Sequence, residues 1–219
     1  MSILFISYLI VFISSTICVF IGRKLLHPKN PLFVILCYLG FVVFLLGRFY
    51  EVSRIILKLD LYNDFELGFV GIIGAFSFWL SSCFAIKEEV NIKVNTSVVI
   101  KSLTVSCLVG LLYFVVIFGN VTDMEKIIDL IVDIYACLVV YYYTRSLLLI
   151  AEDKSNKIKG IKLYCLLGII FSILVLFLAI SFAYSSYILL LVVSIIMSII
   201  LLLMMIAFKK GVKEWQTLN

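Results

Sequence analysis

Seven long apolar runs dominate this chain and restrict what it can fold into. Each run holds about 20 residues, which is the helical length that covers the roughly 30 Å hydrocarbon core of a bilayer. The runs are continuously apolar rather than alternating with a period of two, so they predict helices and not the strands of a barrel. We expect an all-α bundle of seven transmembrane helices, with residues 1–219 forming one integral membrane domain. The runs are Ile3–Ile21, Leu32–Tyr50, Leu67–Ile86, Val98–Gly119, Ile127–Ala151, Leu163–Ala183 and Tyr187–Phe208.

The overall composition supports lipid as the solvent of this chain. Hydrophobic residues make up 64% of the sequence and charged residues 14%, against about half and about a quarter in water-soluble domains. The net charge of +5 is expected to reflect membrane topology and attraction to anionic lipid, since no basic domain is present to hold nucleic acid. The lipid bilayer is therefore the predicted partner, and nucleic acid is not.

The basic residues gather in every second loop, which predicts the orientation. Fourteen of the 18 Lys and Arg residues lie in the loops after the first, third, fifth and seventh runs or in the run ends beside those loops. Because basic loops stay in the cytoplasm, the N-terminus is predicted outside and the C-terminus inside. The location is predicted to be the cytoplasmic membrane of a microbe, since Ile and Lys are abundant. Candidate residues for a cytoplasmic interface are Arg145, Lys157, Lys209 and Lys210.

Five charged residues near the outer side form the candidate site. A charge near the bilayer centre costs about 2.5–3.5 kcal/mol even on lenient scales, so such residues should be paired or face water. A rise of 1.5 Å per residue places Arg48 roughly 6 Å inside the outer boundary and Asp133 about 9 Å inside. Two alternatives stay open: an ion pair of Arg48 with an acid of the fifth helix, or an outward-facing ligand or ion site. The candidate residues are Arg48, Glu51, Arg54, Asp129 and Asp133.

Small residues in the third run predict close helix packing. Gly68, Gly71 and Gly74 recur every three residues and are followed by Ala75. Such spacing lets the backbone of a neighbouring helix approach closely. We favour tight packing here over a break in the helix that lines a substrate path.

Catalytic and metal-binding patterns are missing from the sequence. The six cysteines all lie within apolar runs without a C-x-x-C pair, and His27 is the only histidine. The cysteines are expected to be small buried hydrophobic residues, and His27 is expected to be a solvated loop residue. We therefore predict no enzyme activity, no catalytic residue, no metal site and no cofactor.

The aromatic residues near the fifth helix's cytoplasmic end predict membrane anchoring. Tyr141, Tyr142 and Tyr143 precede Arg145, and tyrosines with a snorkelling arginine commonly sit at headgroup level. Consecutive residues point in different directions around a helix, so at least one of the three should face the bundle. Trp79 is expected to be an interior packing residue.

The arrangement resembles the seven-helix membrane sensor module that precedes the kinase in some bacterial histidine kinases. The resemblance lies in Leu45-Leu-Gly-Arg-Phe-Tyr-Glu51, in Phe76-Ser-Phe-Trp79, in a basic fifth-to-sixth loop and in a short sixth-to-seventh turn. It implies a sensing function followed by a cytoplasmic signalling domain. Here eleven residues follow the seventh run, Lys209–Asn219, so a sensor of this kind is expected to act through a separate partner.

Three functions are compatible with these patterns. The first is a receptor-like or accessory subunit with an outward-facing polar site, which binds a small molecule or ion and contacts a protein partner or oligomer. The second is a small ion or metabolite transporter that uses the same charges. The third is a structural assembly subunit of a membrane complex.

Overall fold

The computed structural model describes residues 3–57, 67–89, 95–117, 123–152 and 159–216. Within these ranges the chain forms seven α-helices and one short 3₁₀ turn (Arg23–Leu26), and no strand. Seven helices are long and apolar enough to cross a membrane, which confirms the all-α, multi-pass prediction. The helices are α1 (Ile3–Gly22), α2 (Leu32–Ile56), α3 (Leu67–Glu89), α4 (Thr96–Ile117), α5 (Asp123–Glu152), α6 (Lys159–Ala183) and α7 (Tyr187–Gln216).

Several helices extend beyond the apolar runs that predicted them. α2 continues past Tyr50 to Ile56, α5 begins at Asp123 instead of Ile127, and α7 continues past Phe208 to Gln216. Backbone hydrogen bonds between residues four apart do not need apolar side chains, so hydropathy marks the membrane-spanning part of a helix and not its ends. Glu51 and Arg54 therefore belong to α2.

Short links join neighbouring helices at two described positions. Both prolines lie in the link before α2, and the carbonyl of Pro31 accepts a hydrogen bond from the N–H of Val34 at 3.0 Å, where proline starts a helix without cost. Between α6 and α7 the chain turns at Ser185, whose φ of 49° lies in the left-handed region. The N–H of Ser186 donates to the carbonyl of Ser181 at 2.9 Å, which closes the turn.

Six of the helices form a closed ring. α1 packs on α2 and α7, α3 packs on α2 and α5, and α6 packs on α5 and α7. The ring therefore runs α1, α2, α3, α5, α6, α7. α4 lies outside the ring, where it packs on α5 and, less extensively, on α6.

Helix direction alternates along the chain. α1 and α7 are parallel, because Cys18 contacts Leu201 and Gly22 lies beside Met205, whereas Gly47 near the end of α2 meets Gly71 near the start of α3. We call the end of the bundle where α2 ends and α3 begins the acidic end. The opposite end, where α1 ends and α2 begins, is the basic end.

Aromatic side chains fill the centre of the ring. Trp79 of α3 makes edge-to-face contacts with Phe41 of α2 and Phe171 of α6, with ring centroids 5.3 and 5.5 Å apart. Phe44 meets Phe171 at 5.5 Å, and Phe76 meets Trp79 at 5.7 Å. Each of these five side chains is at most 1% exposed, and such pairs add about 0.5–1.5 kcal/mol beyond the burial of their area. We call this group the aromatic centre.

Candidate functional site

Arg48 lies inside the bundle near the acidic end. Its side chain is 3% exposed, and its Nη2 donates a hydrogen bond to the carbonyl oxygen of Gly68 in α3 at 2.8 Å. The guanidinium carbon lies 5.4 Å from the ring centroid of Phe44 and 5.8 Å from that of Tyr8 in α1. Both distances are within the range of a cation–π attraction. Arg48 thus connects α1, α2 and α3.

Glu51 binds the same residue of α3 from the next turn of α2. Its Oε1 accepts a hydrogen bond from the backbone N–H of Gly68 at 2.9 Å, and its side chain is 5% exposed. Gly68 is the second residue of α3, where backbone N–H groups lack partners within the helix and carry partial positive charge. A carboxylate here both accepts the bond and complements that charge. Arg48 and Glu51 together hold the carbonyl and the N–H of Gly68, an arrangement we call the Gly68 clamp.

Glycines bring α2 and α3 close enough for the Gly68 clamp to form. A Cβ atom added to Gly71 would lie 2.5 Å from the Cα of Gly47, so the two backbones touch. A methyl group on Gly68 would overlap the Glu51 carboxylate, and one on Gly74 would lie 2.7 Å from Val43. The structure therefore places the glycine row of α3 against α2. Ala75, which follows the row, is fully buried.

Arg54 is buried at the last turn of α2 with unused hydrogen-bond donors. Its side chain is 4% exposed, although it lies beyond the end of the predicted apolar run at Tyr50. Within the described part of the chain, its Nε and Nη1 have no hydrogen-bond partner, and neither does Nε of Arg48. Two guanidinium groups and one carboxylate therefore share this end of α2, and three buried guanidinium nitrogens lack an acceptor.

The acids of α5 do not join this group. Asp133 lies beside Gly110 of α4, and its Oδ1 accepts a hydrogen bond from the thiol of Cys137 at 3.4 Å. In the described residues, Arg48 forms no ion pair with Asp133 or with Asp129, the half-buried acid one turn earlier. The expected pairing of α2 with α5 is absent because α3 lies between these helices in the ring. Arg48 and Asp133 were predicted at similar depth, but their side chains point in different directions around the bundle.

Hydrogen bonds also fix α4 to α5 beside Asp133. Ser106 of α4 donates its hydroxyl proton to the carbonyl of Cys137 at 2.7 Å. Asp133 is 7% exposed, so its carboxylate lies between two helices and not in the lipid. It forms no salt bridge with any basic side chain in the described ranges.

A buried polar chain that sequence reasoning did not identify crosses the ring nearer the basic end. The hydroxyl of Tyr164 in α6 shares hydrogen bonds with the thiol of Cys37 in α2 at 2.9 Å and with the hydroxyl of Tyr143 in α5 at 2.7 Å. Trp79 donates its indole N–H to the carbonyl of Cys37 at 3.2 Å. At least one of the three consecutive tyrosines, Tyr141 to Tyr143, was predicted to face the bundle. That residue is Tyr143, which is 1% exposed.

The basic end repeats the carboxylate contact seen at the acidic end. Glu214 of α7 accepts a hydrogen bond from the N–H of Gly160, the second residue of α6, at 2.8 Å. Lys210 lies 4.0 Å from the other oxygen of Glu214. A methyl group on Gly211 would lie 2.8 Å from the backbone nitrogen of Ile161, so these two helices also meet backbone to backbone.

The four residues proposed for the cytoplasmic interface are placed unevenly. Lys210 is exposed, whereas Arg145 and Lys209 are half-buried. Lys209 donates to the carbonyl of Ile21 in α1 at 3.5 Å. Lys157 lies outside the described residues. Of these residues, Lys210 is the one whose side chain the structure leaves most accessible.

Comparison with known proteins finds no matching family model, no matching curated protein and no matching solved structure. The fold defines the class of protein as a bundle with seven helices fit to span a membrane.

Proposed function

We propose that this chain is a receptor-like or accessory subunit of the membrane, with a polar site at its acidic end and a separate partner at its basic end. The polar site consists of Arg48, Glu51 and Arg54. The alternation of basic and acidic loops supports an orientation in which the acidic end and the N-terminus face outward and the basic end faces the cytoplasm.

One arrangement supports this proposal most directly. Two buried arginines lie at the acidic end, and the aromatic centre lies next to them. Buried charges in a membrane protein usually mark a functional position. A carrier needs a polar route from such a site to the opposite side. Here Phe44 contacts Arg48 directly, and Phe171 and Trp79 occupy the next layer. A site that is closed on its inner side suits recognition better than passage.

Copurification from native membranes tests the proposal. After mild chemical crosslinking, the tagged chain should recover one partner in constant stoichiometry. Lys210→Glu, which reverses an exposed charge at the basic end, should reduce that recovery, whereas Lys210→Arg, which keeps the charge at the same position, is the control and should not. Recovery of the chain alone from crosslinked membranes would reject both the receptor-like and the assembly alternatives.

A carrier remains the second candidate because of Asp133. This acid is buried between α4 and α5, and within the described residues no basic side chain forms a salt bridge with it. Buried acids of this kind bind protons or cations in many transporters. Purified chain in proteoliposomes should then move a cation, and Asp133→Asn should abolish the flux while the protein stays folded. Absence of flux across a broad panel of ions would remove this candidate.

Cysteine labelling tests the orientation. In a variant with Cys107 replaced, a cysteine introduced at Ser185 should react with a membrane-impermeant maleimide added outside intact cells. A cysteine introduced at Lys29 should react only after the membrane is opened. The reverse result would contradict the proposed direction of the bundle.

A further inference from the structure

We propose that the polar site binds a phosphate group through Arg48 and Arg54, supplied by a lipid headgroup or by free phosphate. The inference rests on the proposed function, because it assigns a ligand to the same site. Its test uses the purified chain without a partner, so its failure would leave partner recovery unaffected.

The hydrogen-bond donors of the two arginines exceed the acceptors around them. Arg48 uses Nη2 on the carbonyl of Gly68, while its Nε has no partner, and Arg54 has two nitrogens without one in the described part of the chain. A buried donor without an acceptor costs about 1–3 kcal/mol, and more when it is charged. Both side chains are at least 95% buried, so bulk water does not replace the missing acceptors. An occupant with several acceptor oxygens would remove this cost.

The charge at the site also calls for an anion. Among the described residues at this end of α2, Arg48 and Arg54 carry two positive charges and Glu51 carries one negative charge, which is already bound to the N–H of Gly68. The N-terminus of α3 adds partial positive charge at the same place. One net positive charge in a medium of low dielectric constant is expensive unless a counter-charge is present. A singly or doubly charged oxyanion supplies it.

Phosphate fits the arrangement of the donors better than a spherical ion. The guanidinium group presents its N–H donors in a planar fork that matches pairs of phosphate oxygens. Arg48 and Arg54 are six residues apart on α2, which is about 9 Å along the helix axis. A phosphate that binds both must therefore lie between the two guanidinium groups. The apolar rings of Tyr8 and Phe44 beside Arg48 would suit the neighbouring atoms of a lipid.

Thermal unfolding of the delipidated full chain in neutral detergent tests the inference. Unfolding is followed by tryptophan fluorescence, with inorganic phosphate or micelles containing phosphatidylglycerol as the probe. We expect one probe to raise the unfolding midpoint of the wild type by several degrees. A shift with inorganic phosphate alone assigns free phosphate, whereas a shift that requires phosphatidylglycerol, with phosphatidylcholine as control, assigns a headgroup.

Arg54→Gln and Lys210→Gln are the matched variants for this experiment. Arg54→Gln should lose the shift, and without the probe it should be at least as stable as wild type, because it removes unpartnered buried donors. Lys210→Gln, which removes the same charge at the opposite end, should keep the shift. If Arg54→Gln does not fold, Arg54→Lys keeps the charge without the fork and should weaken binding at least tenfold. No shift with either probe, or an unchanged shift in the Arg54 variants, would overturn the inference.

Discussion

Gly71→Ala should destabilise the bundle through the contact between α2 and α3. The added Cβ would lie 2.5 Å from the Cα and 3.1 Å from the nitrogen of Gly47, whereas carbon atoms in contact are about 3.5–4.0 Å apart. Both atoms that it meets are backbone, so no side-chain rotation relieves the overlap. The two helices must separate by about 1 Å.

The size of the effect follows from that separation. Overpacking of a filled interior costs about 1–3 kcal/mol, and alanine returns up to about 1 kcal/mol through its higher helix propensity. A shift of about 1 Å would also stretch the Gly68 clamp, in which bonds to charged groups contribute about 1.5–3 kcal/mol each. We expect a net loss of about 2–4 kcal/mol in the free energy of unfolding.

Reversible unfolding by SDS in mixed micelles, followed by the fluorescence of buried Trp79, measures this loss. Gly74→Ala is the matched control, because its added Cβ meets only Cγ1 of Val43, the end of a side chain, at 2.7 Å. The control should lose less than about 1 kcal/mol. A Gly71→Ala protein as stable as wild type, or a control equally destabilised, would refute the backbone contact between α2 and α3.

Five other substitutions probe the remaining polar contacts in the same unfolding assay. A double-mutant cycle of Arg48→Gln with Asp133→Asn should give no coupling beyond about 0.5 kcal/mol, and a larger value would contradict the ring order. Tyr164→Phe should cost about 1–3 kcal/mol because the Tyr143 hydroxyl loses its partner. Tyr143→Phe should cost less, since Tyr164 keeps its bond to a thiol. Glu214→Gln should cost up to about 1 kcal/mol at low salt, and added salt should shrink that difference.

The helices could be predicted from the sequence because the bilayer imposes their length. About 20 apolar residues have no stable alternative to a helix in hydrocarbon, and all seven runs overlap described helices. The order of the helices in the ring could not be read in the same way. Lipid and bundle interior are both apolar, so an apolar side chain does not indicate which face of a helix points inward. The position of α4 outside the ring is therefore information that only the structure supplies.

The candidate site could be predicted in part for the same reason. Depth follows from counting residues along a helix, and this identified Arg48 and Asp133 as charges within the membrane. Direction around the bundle does not follow from counting. The ion-pair alternative placed the partner of Arg48 on α5, whereas the hydrogen bond of Arg48 is made to α3. The acceptor on α3 is also a backbone carbonyl, and a sequence pattern of side chains contains no signal for it. The sequence predicted Gly68 only as a small residue that allows close helix packing.

The Gly68 clamp suggests how an occupied site would act on the rest of the molecule. An anion on the unpartnered nitrogens of Arg48 and Arg54 would leave the bond from Arg48 to Gly68 in place but would repel the Glu51 carboxylate, so the bond between Glu51 and the start of α3 would weaken. α3 packs on α5 as well as on α2, and α5 leads to Arg145 at the basic end, whereas α4 lies outside the ring. A signal from the acidic end should therefore reach a partner at the end of α5. In Arg145→Gln, the amount of partner recovered from crosslinked membranes should then no longer change with added phosphate, although the variant should still bind phosphate. An Arg145→Gln variant that no longer binds phosphate would refute this route.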